Sequence, residues 1–191
     1  MLAALVVLER ADTARAEERA LADDKAISVG IGPAMYLQQS SPVEAILGMK
    51  LRLGYAFPVV RPLRLSFDLG LTKGGWLAGS DVGTTVGTSD VVIEPTVGAV
   101  FEKKSRSGRA WLTGKFAVGP LIVWPSIAHF PVSIGALVRS TGGVRHLLSS
   151  SVAIGVDLSA AVAAGSFKLQ PYRAATSMLG FEVALVVEVR I

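Results

Sequence analysis

Hydroxyl and imidazole groups that could support nucleophilic chemistry gather in one stretch, SIAHFPVS (126–133), where Ser126 and Ser133 flank His129. A serine nucleophile needs a base within hydrogen-bond reach and a third group to orient that base. Asp81 and Glu94 are carboxylates that other segments could bring toward His129; the second histidine, His146, is expected at the opposite end of the molecule from His129. The spacing alone supplies neither contact. Sequences of the type H-E-x-x-H, G-x-S-x-G and the phosphate-binding Gly-rich loop are absent, and the carboxylates do not cluster as metal ligands. The chain has no cysteine, which excludes disulfides and thiolate metal sites. We expect no enzyme, no metal and no cofactor, with a lipid-acting hydrolase centred on His129 as the lesser alternative.

The other ionisable residues obey a different rule. In PLRLSFDLGLT (62–72), Leu63, Leu65, Phe67, Leu69 and Leu71 alternate with Arg64, Ser66, Asp68, Gly70 and Thr72. Alternation with period two is the mark of a strand with one apolar and one polar face. The same period recurs in 27–37, 46–57, 91–102, 111–123, 131–139, 148–162 and 179–191, which makes eight such segments. Their polar faces carry Lys50, Arg52, Arg64, Lys115, Arg139 and Arg190 against Asp68, Glu94, Glu102, Asp157, Glu182 and Glu188.

Composition decides which face looks inward. Hydrophobic residues make up 51% of the 191, yet no run reaches the roughly 18 apolar residues of a spanning helix. The excess apolarity is divided among short segments. Large side chains occupy the apolar faces, whereas Gly, Ser and Ala dominate the polar ones. Small residues suit a narrow closed lumen, since eight strands enclose a space just wide enough for side chains to fill. Buried charges must be paired, and equal numbers of each sign permit it. We therefore expect an all-β, closed, antiparallel up-and-down transmembrane barrel of about eight strands over 27–191, with the charges in its lumen. Residues 1–26 read as a signal-peptide remnant, given the small-x-small Ala14-Arg15-Ala16, or as a helical or disordered segment.

The segments between strands support a membrane topology. Compact connections are expected at 58–62, 103–109 and 140–146, and longer loops at 73–89 and 166–176, an asymmetry expected of barrels with short periplasmic turns. Aromatic residues near strand ends suggest two interfacial girdles: Tyr55, Phe57, Phe101 and Trp111 by the short turns, and Tyr36, Trp76, Trp124 and Phe130 by the loops. Pro33, Pro95 and Pro120 fall inside strands, where each removes a ladder hydrogen bond, and imply bulges or misplaced strand ends.

From Ile27 to Ile191 the chain resembles the small eight-stranded outer-membrane barrels of Gram-negative bacteria, the OmpA/OmpX-like superfamily. The resemblance is one of pattern, and the terminal VEVRI lacks the aromatic end usual in that group. It implies a location in the bacterial outer membrane, contact with outer-membrane lipid and a surface, adhesion or envelope-structural role through the loops 73–89 and 166–176, with an extracellular or envelope protein as partner. HFPVS (129–133) departs from the His-x-Ser arrangement that lipid A deacylases resemble. A soluble lipocalin-like barrel binding an apolar ligand is the remaining alternative; it inverts the faces and would build its exterior mostly from Gly, Ala and Ser. Nothing in the mild net charge of +4 or its distribution suggests nucleic acid.

Overall fold

A computed structural model describes residues 25–38, 44–60, 62–80, 83–125, 132–170 and 173–191. Eight strands, each antiparallel to the next, close into one barrel: β1 (Ala26–Gln38), β2 (Glu44–Val60), β3 (Leu63–Ser80), β4 (Gly83–Lys104), β5 (Ala110–Trp124), β6 (Ser133–Leu147), β7 (Val152–Gln170) and β8 (Arg173–Arg190). Closure is made by β1 on β8, from Ala26 opposite Arg190 to Gln38 opposite Met178. A closed sheet leaves no backbone edge exposed to lipid, which a spanning β-structure requires.

The alternation sorts the side chains as the period demands. Ile27, Val29, Ile31, Leu51, Leu53, Phe67, Val118, Val138, Val156, Phe181, Leu185 and Val187 all stand on the exterior. Arg64, Ser66 and Asp68, from the strand whose faces decided the reading, are buried inside. That orientation rules out the lipocalin-like alternative, whose large apolar residues would fill the interior. An exterior of contiguous Leu, Ile, Val and Phe is a surface for hydrocarbon rather than water.

Strand ends differ from expectation in three places. The stretch 140–146 is not a turn: β6 continues through it, pairing Gly143 with Asp157 and Arg145 with Gly155, and the turn lies at 148–151. Gly143 is there for space, since a Cβ on it would collide with the Asp157 carboxylate and the Thr113 hydroxyl. The stretch 73–89 is not a loop either. β3 and β4 remain paired up to Ser80 opposite Gly83, past a register shift near Gly75, and β7 and β8 up to Gln170 opposite Arg173, past one near Ala164. Thr- and Val-containing chains at the barrel rim satisfy their backbone groups more cheaply by extending a hairpin than by forming an irregular loop, and bulges at barrel rims add the twist this needs.

The prolines form neither bulges nor strand ends. Between β4 and β5 the ladder pairs Ile93 with Ile122 and Val97 with Val118, and the same register places Pro95 opposite Pro120 in the gap between them. Each still pairs on its other side, Pro95 with Leu69 and Pro120 with Ala136. Pro33 sits in a similar gap between β1 and β8. Glycine completes both gaps: a Cβ on Gly119 would overlap the Pro95 carbonyl, and one on Gly32 the Val183 carbonyl.

Candidate functional site

The lumen has two parts stacked along the barrel axis. The half toward the short turns, where Lys25 pairs with Ile191, is ionic. Glu102 accepts from Arg64 and from Arg190, both at 2.9 Å, and Arg190 also reaches Glu188 at 2.9 Å. The Arg190 guanidinium lies 4.5 Å from the centre of the Trp111 ring, a cation–π contact. Arg145 bridges Glu188 at 3.5 Å to Asp157 at 2.6 Å. Asp157 also receives Arg52, and Lys115 pairs with Asp68. Arg52 then reaches Glu182 at 3.4 Å, and Glu182 reaches Lys50 at 3.1 Å.

At mid-barrel Glu94, with no solvent exposure, is the shared acceptor of Lys50 and Arg139. The Tyr36 hydroxyl donates to Glu94 at 2.5 Å and lies 3.1 Å from the Thr72 hydroxyl. Above this level, toward the loop end, the lining is mostly apolar: Ile46, Val92, Leu121, Val123, Leu137, Phe167 and Met178 form one buried cluster with Ala34, Tyr36, Ala161 and Ala163, and Gln38, Asp90 and Ser133 are buried at the same end. The strands impose this sorting by period alone, because every second residue of all eight must share the narrow interior.

Of the twelve charges expected in the lumen, ten are buried there, Glu102 and Lys115 are half-buried in ion pairs with Arg64 and Asp68, and Arg64 meets Glu102 as neighbouring strands require. Two further charges lie there. Arg145 was hidden by the flanking Gly142-Gly143, which read as a turn, and buried Asp90 fell between the segments assigned to strands. Two girdle aromatics are misassigned. Tyr36 and Trp111 are each 3% exposed and line the lumen; both occupy the inward parity of their strands, which overrides nearness to a strand end. Tyr55, Phe57, Phe101 and Trp124 are on the exterior, with Phe57 stacked on Phe67 at 6.1 Å and 6.2 Å from Tyr55. The Trp76 side chain, Phe130, Asp81, Ser126 and His129 lie outside the described residues. Ser133 is buried at the loop end and His146 is exposed at the turn end, so the barrel keeps these two apart. Among the described residues no group of three or more His, Asp or Glu side chains could hold a metal ion.

Chemically, the arrangement is a seal. Acids and bases are consumed by one another, and the ion pairs from Glu102 to Arg139 are linked without interruption.

No family model matches the chain, and no curated protein matches it in sequence. Solved structures do match in fold. The Neisserial surface protein A superposes with a TM-score of 0.63 at 12% identity, covering 87% of this chain and 97% of its own. Ail, the attachment invasion locus protein of Yersinia pestis, gives 0.53 at 13% identity, covering 88% and 99%. The outer membrane protein OprG from Pseudomonas aeruginosa gives 0.54 at 9% identity, covering 91% and 99%. The fold is that of the small eight-stranded outer-membrane barrels, and its closed sheet with an exterior of large apolar side chains is that of a membrane-spanning β-barrel.

Proposed function

We propose that this protein works at the outer surface of its membrane through the β3–β4 and β7–β8 hairpins, in an adhesion or envelope-structural role, with the barrel as its anchor. The observation that carries this reading is the filled lumen: among the described residues the ion-paired half has no unpaired charge to conduct an ion, and the mostly apolar half disfavours water. With transport through the barrel disfavoured, the parts left to meet a partner are the hairpins at the loop end. The β3–β4 pair runs to Ser80 and Gly83, well beyond Val91, where the β4–β5 pairing with Trp124 ends. The name of Ail, the attachment invasion locus protein, supports the use of such a barrel for attachment.

The test shortens the β3–β4 hairpin by removing residues 77–86 and joining the strands with an Asn-Gly turn. The shortened protein is expected to keep heat-modifiable gel migration and membrane fractionation while cells lose attachment to host or neighbouring cell surfaces. Unchanged attachment with the hairpin removed would refute the role.

A further inference from the structure

We propose that the turn-end rim of the barrel binds anionic glycerophospholipid headgroups of the periplasmic leaflet, through Lys103, Arg106 and Arg109. Charge is divided unequally between the inside and the outside of the barrel. Every carboxylate side chain that the structure describes, from Asp68 and Asp90 to Glu182 and Glu188, turns into the lumen and is buried, or nearly so in the case of Glu102. There the acids are matched by lumen cations. The charged side chains described as exposed on the exterior are all basic: Lys25, Lys73, Lys103, Arg106 and Arg109. Arg106 and Arg109 belong to the β4–β5 turn and Lys103 to the last residues of β4 before it, and none of those three has an ion-pair partner among the described residues.

Geometry fixes the depth of that turn. Phe101 and Leu112, 52% and 56% exposed, stand on the lipid face at the ends of β4 and β5. Lys103 is paired with Leu112 and shares its outward face, which puts its stem against hydrocarbon and its ammonium at the headgroup level. Beyond it the turn is ordered. Ser105 donates its N–H to the Ala110 carbonyl at 2.8 Å and accepts from the Gly108 N–H at 3.1 Å, with Gly108 in the left-handed region at φ 68°. This turn holds exposed Arg106 and Arg109 beside Lys103, and exposed His146 lies opposite Ala110 on β6. The result is a cationic concentration bordering lipid, with no exposed acid beside it among the described residues, since neighbouring Glu102 is taken up by Arg64 and Arg190. A guanidinium fork suits a phosphodiester, and each cation near an anionic bilayer adds attraction that salt screens.

The experiment measures co-retained lipid by mass spectrometry after the folded barrel is extracted from bilayers of phosphatidylcholine and phosphatidylglycerol. The wild type should retain phosphatidylglycerol preferentially, and the preference should fall as sodium chloride is raised. The triple variant Lys103→Gln, Arg106→Gln, Arg109→Gln should lose about fivefold in preference for each cation removed at low salt. Lys73→Gln, on the opposite rim, should leave it unchanged. Heat-modifiable migration checks that each variant is folded, and the wild-type salt series stands independently of them. The proposal is overturned by a wild type without lipid preference, by a preference indifferent to salt, or by a folded triple variant equal to wild type. Binding of a soluble polyanion such as polyglutamate without any preference for phosphatidylglycerol overturns it as well, since the ligand would then be an acidic polymer.

Discussion

The two halves of the lumen solve the same packing problem with opposite chemistry. Toward the turns, space is filled by arginines, lysines and carboxylates whose charges cancel; toward the loops, by Ile46, Val92, Leu121, Leu137, Phe167 and Met178. Both halves are filled, but they fail differently. An apolar cap loses stability in proportion to the volume removed and stays dry. An ionic network turns against the fold when one partner is deleted, because the other charge is left buried.

The largest effect is expected from Glu94→Ala, which strips Lys50, Arg139 and Tyr36 of a common acceptor. It should cost about 3–5 kcal/mol, read as a lower urea midpoint for unfolding from lipid vesicles. The same variant should remain non-conducting in planar bilayers, because the cap above it is intact. Conductance in Glu94→Ala would show that the ionic half is the seal and break the division of roles. Next is Tyr36→Phe, which deletes one hydrogen bond to a charged acceptor and should cost about 1.5–3 kcal/mol in the same titration. Ile46→Val removes one methylene from the cap and should cost about 0.5–1.5 kcal/mol, with no conductance. The smallest effect is that of salt: raising potassium chloride from about 0.1 to about 1 M shortens the screening length from about 10 to about 3 Å in water but hardly reaches desolvated pairs. The unfolding midpoint should therefore move little, and a large shift would mean that the network is hydrated.

How much of this the sequence carried depends on which period governed each residue. Arg52, Arg64 and Asp157 were legible because a charge between two large apolar residues of a strand can only belong to the other face. Tyr36 shows where composition misled: an aromatic near a strand end suggests an interface, yet Tyr36 shares its parity with Ser28 and Gly30, and parity decides. Arg145 was lost because paired glycines signal a turn in isolation, while in the barrel Gly143 makes room for Asp157. The hairpins escaped for a related reason, since Gly, Ser and Thr describe a loop and a rim hairpin equally well. The joining of Lys50, Arg139 and Tyr36 on Glu94 depends on heights along four strands, which no single segment contains.

The wiring of the ionic half bears on how the protein enters its membrane. Arg52 and Asp157 are 105 residues apart, and Arg190 and Glu102 are 88 apart. Such partners sit on strands that meet only through the interior of a closed ring. A half-inserted sheet would offer bare arginines and carboxylates to hydrocarbon, a far greater penalty than any single strand could recover by burying its leucines. Insertion strand by strand is therefore uphill, and crossing the bilayer is coupled to closing the circle.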